Sequence, residues 1–254
     1  MKVALVQSDI SWENPKENRR HFDMLIDSIA TNVDLIVLPE MFSTGFTMNP
    51  SNVVEPMNGE TILWMKTVAM KNECAVTGSI AVCQQEKFYN RLIFVFPNGE
   101  ISFYDKRHLF SLAGEDKVYT KGTDRIIINY KGFKICPQIC YDLRFPVFSR
   151  NTVDYDLLLY VANWPDLRID AWDILLRARA VENQCFVIGV NRIGKDNKNQ
   201  YNGHSQAIDF LGNYLLKPVE REAALVVELH KNQLVSFREQ FNFLSDRDHF
   251  TLED

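Results

Sequence analysis

The chain begins with apolar and amphipathic stretches in alternation. Residues 3–7 are predicted to form a strand, and the continuous apolar run 34–39 is typical of a strand that is buried on both faces. The stretches that follow them repeat apolar residues at helical spacing, and Pro15 suits the first turn of the first helix. The predicted order is strand 3–7, helix 14–30, strand 34–39, helix 61–72 and strand 75–82.

From residue 91 the pattern changes to shorter strands separated by turn signals. Residues 91–96 and 101–104 flank Asn98-Gly99, which is a strong hairpin signal. Later strand candidates are residues 133–140, 156–163, 186–192, 205–210 and 223–229. An early βαβ arrangement combined with hairpins predicts an α/β fold with a mixed sheet.

The second half contains one clear helical stretch and no domain boundary. The helix is predicted at residues 171–184, with Asp170 as a candidate N-cap. We interpret the polar stretch 195–203 as a loop, so a single domain is expected over residues 1–254. A C-terminal tail from about residue 231 is expected either to pack on a partner subunit or to fold back over its own chain.

Composition and charge narrow the class of protein. The chain is 46% hydrophobic and 24% charged, which is ordinary for a soluble globular protein. Its net charge of −5 argues against nucleic acid or an anionic membrane surface as a partner. No apolar run approaches the roughly 20 residues of a membrane helix, and the N-terminus reads as a strand rather than a signal peptide. We expect a cytoplasmic protein that binds neither nucleic acid nor membranes.

The cysteines and glycines indicate no bound metal or cofactor. The five cysteines are few for the chain length and odd in number, so a disulfide framework is not expected. No CxxC pair occurs, and the histidines show no metal-ligand spacing beside the cysteines. No GxGxxG motif marks a phosphate-binding loop. We therefore expect neither a metal site nor a cofactor.

Three chemically different groups follow predicted strands. Glu40 ends the run DLIVLP, Lys106 follows ISFYD, and Cys140 follows FKICPQI. In open α/β sheets, sites form where the carboxyl ends of strands gather, so these side chains can converge. A carboxylate can take the proton of a thiol, and an ammonium stabilises both thiolate and oxyanion. The backbone N–H of Tyr141 is a second candidate oxyanion donor, and attack on an amide carbonyl would give a thioester.

Each of these residues also has a purely structural interpretation. A cysteine in an apolar run is usually a packed thiol, and Cys136, inside the same strand as Cys140, is interpreted as one. Glu40 and Lys106, taken singly, are compatible with surface charges. The residue types and their positions leave both interpretations open.

Five segments then stand out in order along the chain. They are LPEMFSTGF (38–46), YDKRHLF (104–110), ICYDLRFP (139–146), YVANWP (160–165) and RARAVENQ (177–184). Together they resemble the nitrilase superfamily of carbon–nitrogen hydrolases, over residues 1 to about 230. The resemblance implies a four-layer α-β-β-α sandwich, in which two mixed sheets face each other between outer helices. It also implies a homodimer or higher homo-oligomer that pairs through helices such as residues 171–184.

The resemblance implies a role for each candidate residue. Glu40 would be the general base, Lys106 the cation that stabilises the oxyanion, and Cys140 the nucleophile. Glu115, in LAGEDKVYTKG, lies where the family carries a second glutamate, which would position the lysine and the substrate. Its alternative interpretation is a solvated acid in a loop.

Within the superfamily, the segments YDKRHLF, ICYDLRFPVFSRN and YVANWP resemble the corresponding sequences of bacterial omega-amidases. These enzymes hydrolyse the terminal amide of 2-oxoglutaramate or 2-oxosuccinamate to an oxoacid and ammonia.

Arginine binds the distal carboxylate of such a substrate best, because its planar fork matches a carboxylate. Candidates are Arg144, Arg168 and Arg107, although Arg144 is also suited to a structural pair with Asp142. The chain has Ala171-Trp172 where related enzymes often have His-Trp, and this departure lies at one edge of the expected pocket.

Three further residues are candidates for contact with a small-molecule amide. Asn163 ends the predicted strand 156–163 and Trp164 follows it, and this end of the strand is expected to face the site. Phe46 would belong to an apolar wall that excludes water, or else to the core.

Several other functions stay open at this point. The chain is compatible with another amidase or a nitrilase of the superfamily, because both chemistries use the same three groups. A non-catalytic scaffold of the same fold is a second alternative. A third is a Cys–His hydrolase in which His108 or His204 is the base.

Overall fold

The computed structural model describes residues 1–252, and the elements below are those of this part of the chain. The helices are α1 (Pro15–Asp27), α2 (Glu60–Lys71), α3 (Pro146–Ser149), α4 (Ile169–Asn183) and α5 (Lys231–Gln240). The strands are β1 (Lys2–Gln7), β2 (Leu35–Val37), β3 (Ala75–Gln84), β4 (Lys87–Val95), β5 (Ile101–Asp105), β6 (Ile128–Tyr130), β7 (Phe133–Ile139), β8 (Leu157–Ala162), β9 (Phe186–Asn191), β10 (Ile193–Lys195), β11 (Gln200–Asn202), β12 (Gln206–Ile208), β13 (Tyr214–Leu216) and β14 (Ala223–Glu228).

The strands form two mixed six-stranded sheets. The first has the order β14-β1-β2-β3-β4-β5 and the second the order β13-β12-β9-β8-β7-β6. In each, three central strands run parallel, β1-β2-β3 in the first sheet and β7-β8-β9 in the second, and antiparallel strands flank them. Strands β10 and β11 form a separate hairpin.

Side-chain alternation along the strands explains why the sheets stack. In β1, Val3 and Leu5 join the core between the two sheets, whereas Ala4 and Val6 pack under α1 and α2. The second sheet repeats this pattern, with its outer face packed under α4. The predicted four-layer α-β-β-α sandwich is therefore confirmed.

Helix α4 differs from its prediction at its start. It begins at Ile169, and Arg168 occupies the N-cap position without a capping hydrogen bond from its side chain. Asp170 therefore lies in the first turn, where a negative charge favours the helix dipole, and its prediction as the N-cap was wrong.

The C-terminal segment folds back over its own chain. The side chains of Lys231 and Arg238 on α5 both bind the carboxylate of Asp156, at 2.7 and 3.4 Å. Leu234 of the same helix is buried in the core between the sheets. The last two residues of the predicted tail, 253 and 254, lie outside the described residues. No helix among residues 1–252 is both long and apolar enough to cross a bilayer.

Candidate active site

The predicted reactive groups meet at one end of the sandwich. Lys106, Cys140 and Asn163 directly follow β5, β7 and β8, and Glu40 lies shortly past β2. The two sheets thus contribute two of these residues each to a single cleft of about 490 Å³. The other predicted residues that line this cleft are Phe46, Tyr141, Arg144, Trp164 and Arg168.

Lys106 is held between two carboxylates in the floor of the cleft. Its Nζ donates to Glu40 Oε1 at 2.8 Å and to both oxygens of Glu115, at 3.1 and 2.9 Å. All three side chains are buried, so Glu115 is not the solvated loop acid of the alternative interpretation. Glu115 also accepts from the backbone N–H of Phe110 at 2.6 Å, which fixes its position behind the lysine.

These buried charges shift one another's proton affinities. Burial alone lowers the pKa of Lys106, but Glu115 and Glu40 outweigh burial and raise it, so the amine stays protonated. Burial raises the pKa of Glu115, Lys106 partly lowers it, and Glu40 raises it further. Burial, and next the Glu40 carboxylate, hold the pKa of the Cys140 thiol well above its usual range, although Lys106 partly lowers it. The resting thiol is therefore neutral and needs a base when it reacts.

Cys140 lies at a sharp turn of the backbone. Its φ is +46°, a left-handed conformation that is uncommon for residues other than glycine and costs free energy. Asp142 is fully buried and stabilises this turn through four hydrogen bonds. Its Oδ2 accepts from Ile139 N–H and the Tyr104 hydroxyl, and its Oδ1 interacts with the backbone N–H and ring Nδ1 of His108. One carboxylate thus links the turn at Cys140 to the loop that carries Lys106.

Cys136 occupies a different environment. It lies within β7, is fully buried, and packs under α4 rather than in the cleft. Burial raises the pKa of its thiol to about 12. These features agree with its interpretation as a structural residue.

Arg144 and Arg168 both line the cleft, whereas Arg107 does not. The Arg144 guanidinium stacks over Trp164 at 4.9 Å, and that of Arg168 lies over Phe110 at 5.4 Å. Asp142, which the sequence offered as a structural partner of Arg144, makes the other contacts described above, so that pairing was wrong.

Arg107 is directed elsewhere. Its guanidinium donates to the carbonyl of Thr123 at 3.0 Å and lies over the ring of Phe148 at 5.4 Å. Of the three arginine candidates, the two that line the cleft are therefore placed to meet a ligand.

Sequence reasoning missed Asn90, which lies in β4 and is buried beside the two glutamates. Its Nδ2 donates to Glu40 Oε1 at 2.8 Å and to Glu115 Oε1 at 3.1 Å. The available signal was weak, because it was a single amide that Arg91 separates from the apolar run LIFVF.

The mouth of the cleft contains a hairpin that the sequence did not predict. Residues 195–203 were expected to form a loop, but β10 and β11 pair here, and the turn between them lines the cleft. Tyr201 donates its hydroxyl to Asp196 at 2.6 Å, and the Arg192 guanidinium stacks over its ring at 4.6 Å. Residues 195–203 contain almost no apolar side chains, so nothing in their sequence indicated that this turn lies near the site.

Neither histidine considered as a base lines the cleft formed by the described residues. His108 binds Asp142 and stacks on Phe145 with ring centroids 3.9 Å apart. His204 lies between Asp173 and Glu220, at 2.8 and 3.2 Å. Both rings therefore have structural partners that account for their positions.

Comparison with known proteins identifies relatives over nearly the whole chain. The family model described as carbon-nitrogen hydrolase matches residues 2–239. The chain is 45% identical over 254 residues to omega-amidase YafV of Yersinia enterocolitica, which covers 99% of this chain and 98% of that protein. It is 32% identical over 249 residues to 2-oxoglutaramate amidase of Bacillus subtilis, with 96% of each chain covered.

A solved structure agrees with this result. XC1258 from Xanthomonas campestris is described as a CN-hydrolase superfamily protein with an arsenic adduct in its active site. It superposes with a TM-score of 0.97 at 41% identity, over 100% of this chain and 99% of that one. The chain therefore belongs to the carbon–nitrogen hydrolases of the nitrilase superfamily, and it is an enzyme that hydrolyses carbon–nitrogen bonds other than peptide bonds.

Proposed function

We propose that this chain is an omega-amidase that hydrolyses the terminal amide of 2-oxoglutaramate or 2-oxosuccinamate through a thioester on Cys140. The observation that carries the chemistry is the contact of Lys106 with Glu40 and Glu115 in the floor of the cleft that Cys140 lines. The relatives named omega-amidase and 2-oxoglutaramate amidase support the choice of substrate.

The first half of the reaction forms the thioester. As the Cys140 sulfur attacks the amide carbon, Glu40 takes the thiol proton, because the thiol is neutral at rest. The carbonyl oxygen becomes an oxyanion, which Lys106 and the backbone N–H of Tyr141 stabilise. When the intermediate collapses, the carbon–nitrogen bond breaks and Glu40 returns the proton to the leaving nitrogen, which departs as ammonia.

The second half regenerates the enzyme. Glu40 removes a proton from water, whose oxygen attacks the thioester carbon, and the same oxyanion contacts serve again. The carbon–sulfur bond breaks, the proton returns to sulfur, and the dicarboxylic oxoacid leaves. Overall, one amide and one water give one acid and one ammonia.

Arg144 and Arg168 are the groups proposed to bind the distal carboxylate. Both guanidiniums lie in the cleft over aromatic rings, which hold planar cations well. A cationic site of this kind favours an amide whose only charge is a carboxylate over a simple nitrile, and over glutamine, whose ammonium would be repelled by the guanidiniums. Phe46, with its ring 5.1 Å from Lys106 Nζ, is proposed to exclude water from the reacting end.

The direct test compares ammonia release from 2-oxoglutaramate, 2-oxosuccinamate, glutamine and a simple nitrile. We expect turnover of the two oxoacid amides to exceed that of the others. Cys140→Ala should abolish turnover while the protein stays folded, and Cys136→Ala should keep most of it. Preferred turnover of the nitrile would reject the amidase assignment, and an active Cys140→Ala variant would reject the thioester.

A further inference from the structure

We infer that Asn90 is a positioning residue that decides which oxygen of Glu40 receives the thiol proton. This inference rests on the proposed role of Glu40 as the general base. It assigns a role to a neutral side chain that does not line the cleft.

Asn90 closes a ring of hydrogen bonds under the cleft. Its Nδ2 and the Nζ of Lys106 donate to the same two atoms, Oε1 of Glu40 and Oε1 of Glu115, at 2.8 to 3.1 Å. The backbone carbonyl of Asn90 also accepts from the N–H of Lys106 at 3.0 Å. The main chain and the side chain of Asn90 thus fix the positions of Lys106 and both carboxylates relative to one another.

The orientation of the amide follows from the charges around it. Its Oδ1 cannot face two carboxylate oxygens without repulsion, so Nδ2, which carries two hydrogens, must face them. The consequence is that Oδ1 is buried without a hydrogen-bond partner, an arrangement that costs free energy. The two carboxylates therefore set the orientation of this side chain at the expense of its own carbonyl.

Counting donors identifies the reactive oxygen of Glu40. Its Oε1 accepts from Lys106 and Asn90, and these two donors occupy both in-plane lone pairs. Its Oε2 accepts one hydrogen bond from the backbone, from the N–H of Asn163 at 2.8 Å. One acceptor position therefore stays open, and it is on Oε2. Without Asn90, Oε1 also has an open position, and the carboxylate loses a donor that holds it in place.

Loss of this donor should also change the pH dependence of the reaction. The titratable groups around Glu40 are Lys106, Glu115, Cys140 and Tyr119. A buried carboxylate that loses a hydrogen-bond donor favours its protonated form, which cannot act as a base. The groups titrate as a coupled set, so the pH of half-maximal activity on the acid side belongs to the set.

The experiment measures kcat/KM for ammonia release against pH in Asn90→Leu, which removes the donor at similar volume. We expect a fall of about 10- to 100-fold at neutral pH, the range for loss of a hydrogen bond to a charged group. The acid side of the profile should move up by about one pH unit, while KM changes little. Asn90→Ser leaves room for a water that can donate, so its values should lie between those of Asn90→Leu and the unmodified enzyme.

Thr77→Val is the matched control. Thr77 is a fully buried polar residue on the neighbouring strand β3, and its Oγ1 donates to the carbonyl of Ile93 at 2.9 Å. We expect this variant to lose some thermal stability and to keep the pH profile. If Asn90→Leu behaves in the same way, Asn90 is merely structural and the inference is wrong. If Asn90→Leu does not fold, the profile of Asn90→Ser decides between the two outcomes by the same criterion.

Glu40→Gln separates this inference from the proposed function. Loss of general-base transfer should lower kcat/KM by about 10²- to 10⁴-fold. Near-normal turnover of Glu40→Gln would overturn the proposed function itself. An inactive Glu40→Gln together with a normal profile in both Asn90 variants would overturn the role of Asn90 alone.

Discussion

At the residue scale, the floor of the cleft carries two carboxylates for one ammonium. Glu40 and Glu115 share Lys106, and the surplus negative charge disfavours a resting thiolate at Cys140. In many thiol enzymes a neighbouring cation lowers the pKa of the cysteine, but here burial and a carboxylate raise it. The proposed mechanism therefore moves the thiol proton during attack rather than before it.

Arg144 allows a test of substrate recognition at this scale. Arg144→Leu should raise KM for 2-oxoglutaramate by about 10- to 100-fold, because a charge-assisted contact with the distal carboxylate is lost. The value of kcat should change little, since this contact is present in both ground and transition states. Steady-state ammonia release measures both constants.

Two comparisons show whether this effect is specific. KM for a neutral methyl ester of the same amide should be nearly insensitive to Arg144→Leu. Arg177, which donates to the carbonyl of Gly212 at 3.0 Å away from the cleft, provides a matched control in Arg177→Leu. An equal rise in KM for the acid and its ester would show that Arg144 does not bind the carboxylate.

The reactive residues at strand ends could be predicted from the sequence, and the amide of Asn90 between them could not. Glu40, Lys106 and Cys140 each follow an apolar run, so their convergence follows from sheet geometry. The function of Asn90 depends on two cross-chain partners that its own neighbours in sequence do not reveal. The pairing of Arg144 with Asp142 failed for the same reason, because Asp142 turns inward to the backbone of the nucleophile turn.

At the element scale, helix α4 approaches β9 closely because Gly189 has no side chain. A Cβ at this position would lie 2.6 Å from both Leu176 and Trp172 of the helix. Glycine otherwise weakens a strand interior, so its presence here indicates a steric requirement. Runs of apolar residues predicted both elements, but the distance between them depends on this one position.

Gly189→Ala tests that close packing. Alanine should stabilise the strand by about 0.5–1 kcal/mol, but overpacking against α4 should cost about 1–3 kcal/mol, so we expect a net loss in the free energy of unfolding. Urea denaturation measures it. The control is Met24→Ala on α1, where the residue is 49% exposed, and a change within about 0.5 kcal/mol is expected. A Gly189→Ala variant as stable as the unmodified protein would reject the close-packing argument.

At the scale of the whole molecule, the site exists because two sheets stack face to face. Each sheet contributes two of the four residues Glu40, Lys106, Cys140 and Asn163, so neither half contains a complete site. Local patterns predicted the strands and the family resemblance predicted their stacking. Neither source predicted the β10–β11 hairpin at the cleft mouth. Its two strands are short and polar, and they lack the alternating apolar residues that identify a buried strand. The expected pairing of subunits stays a prediction.

The central claim is that the reaction passes through a thioester on Cys140, and trapping that species tests it most directly. The enzyme is mixed with 2-oxoglutaramate, quenched in acid within the first turnovers, and analysed by intact mass and peptide mapping. We predict an added acyl group on the peptide that contains Cys140, present also in Cys136→Ala and absent from Cys140→Ala. An acyl group on any other residue, or a burst of ammonia with no acyl-enzyme at any quench time, would contradict the account.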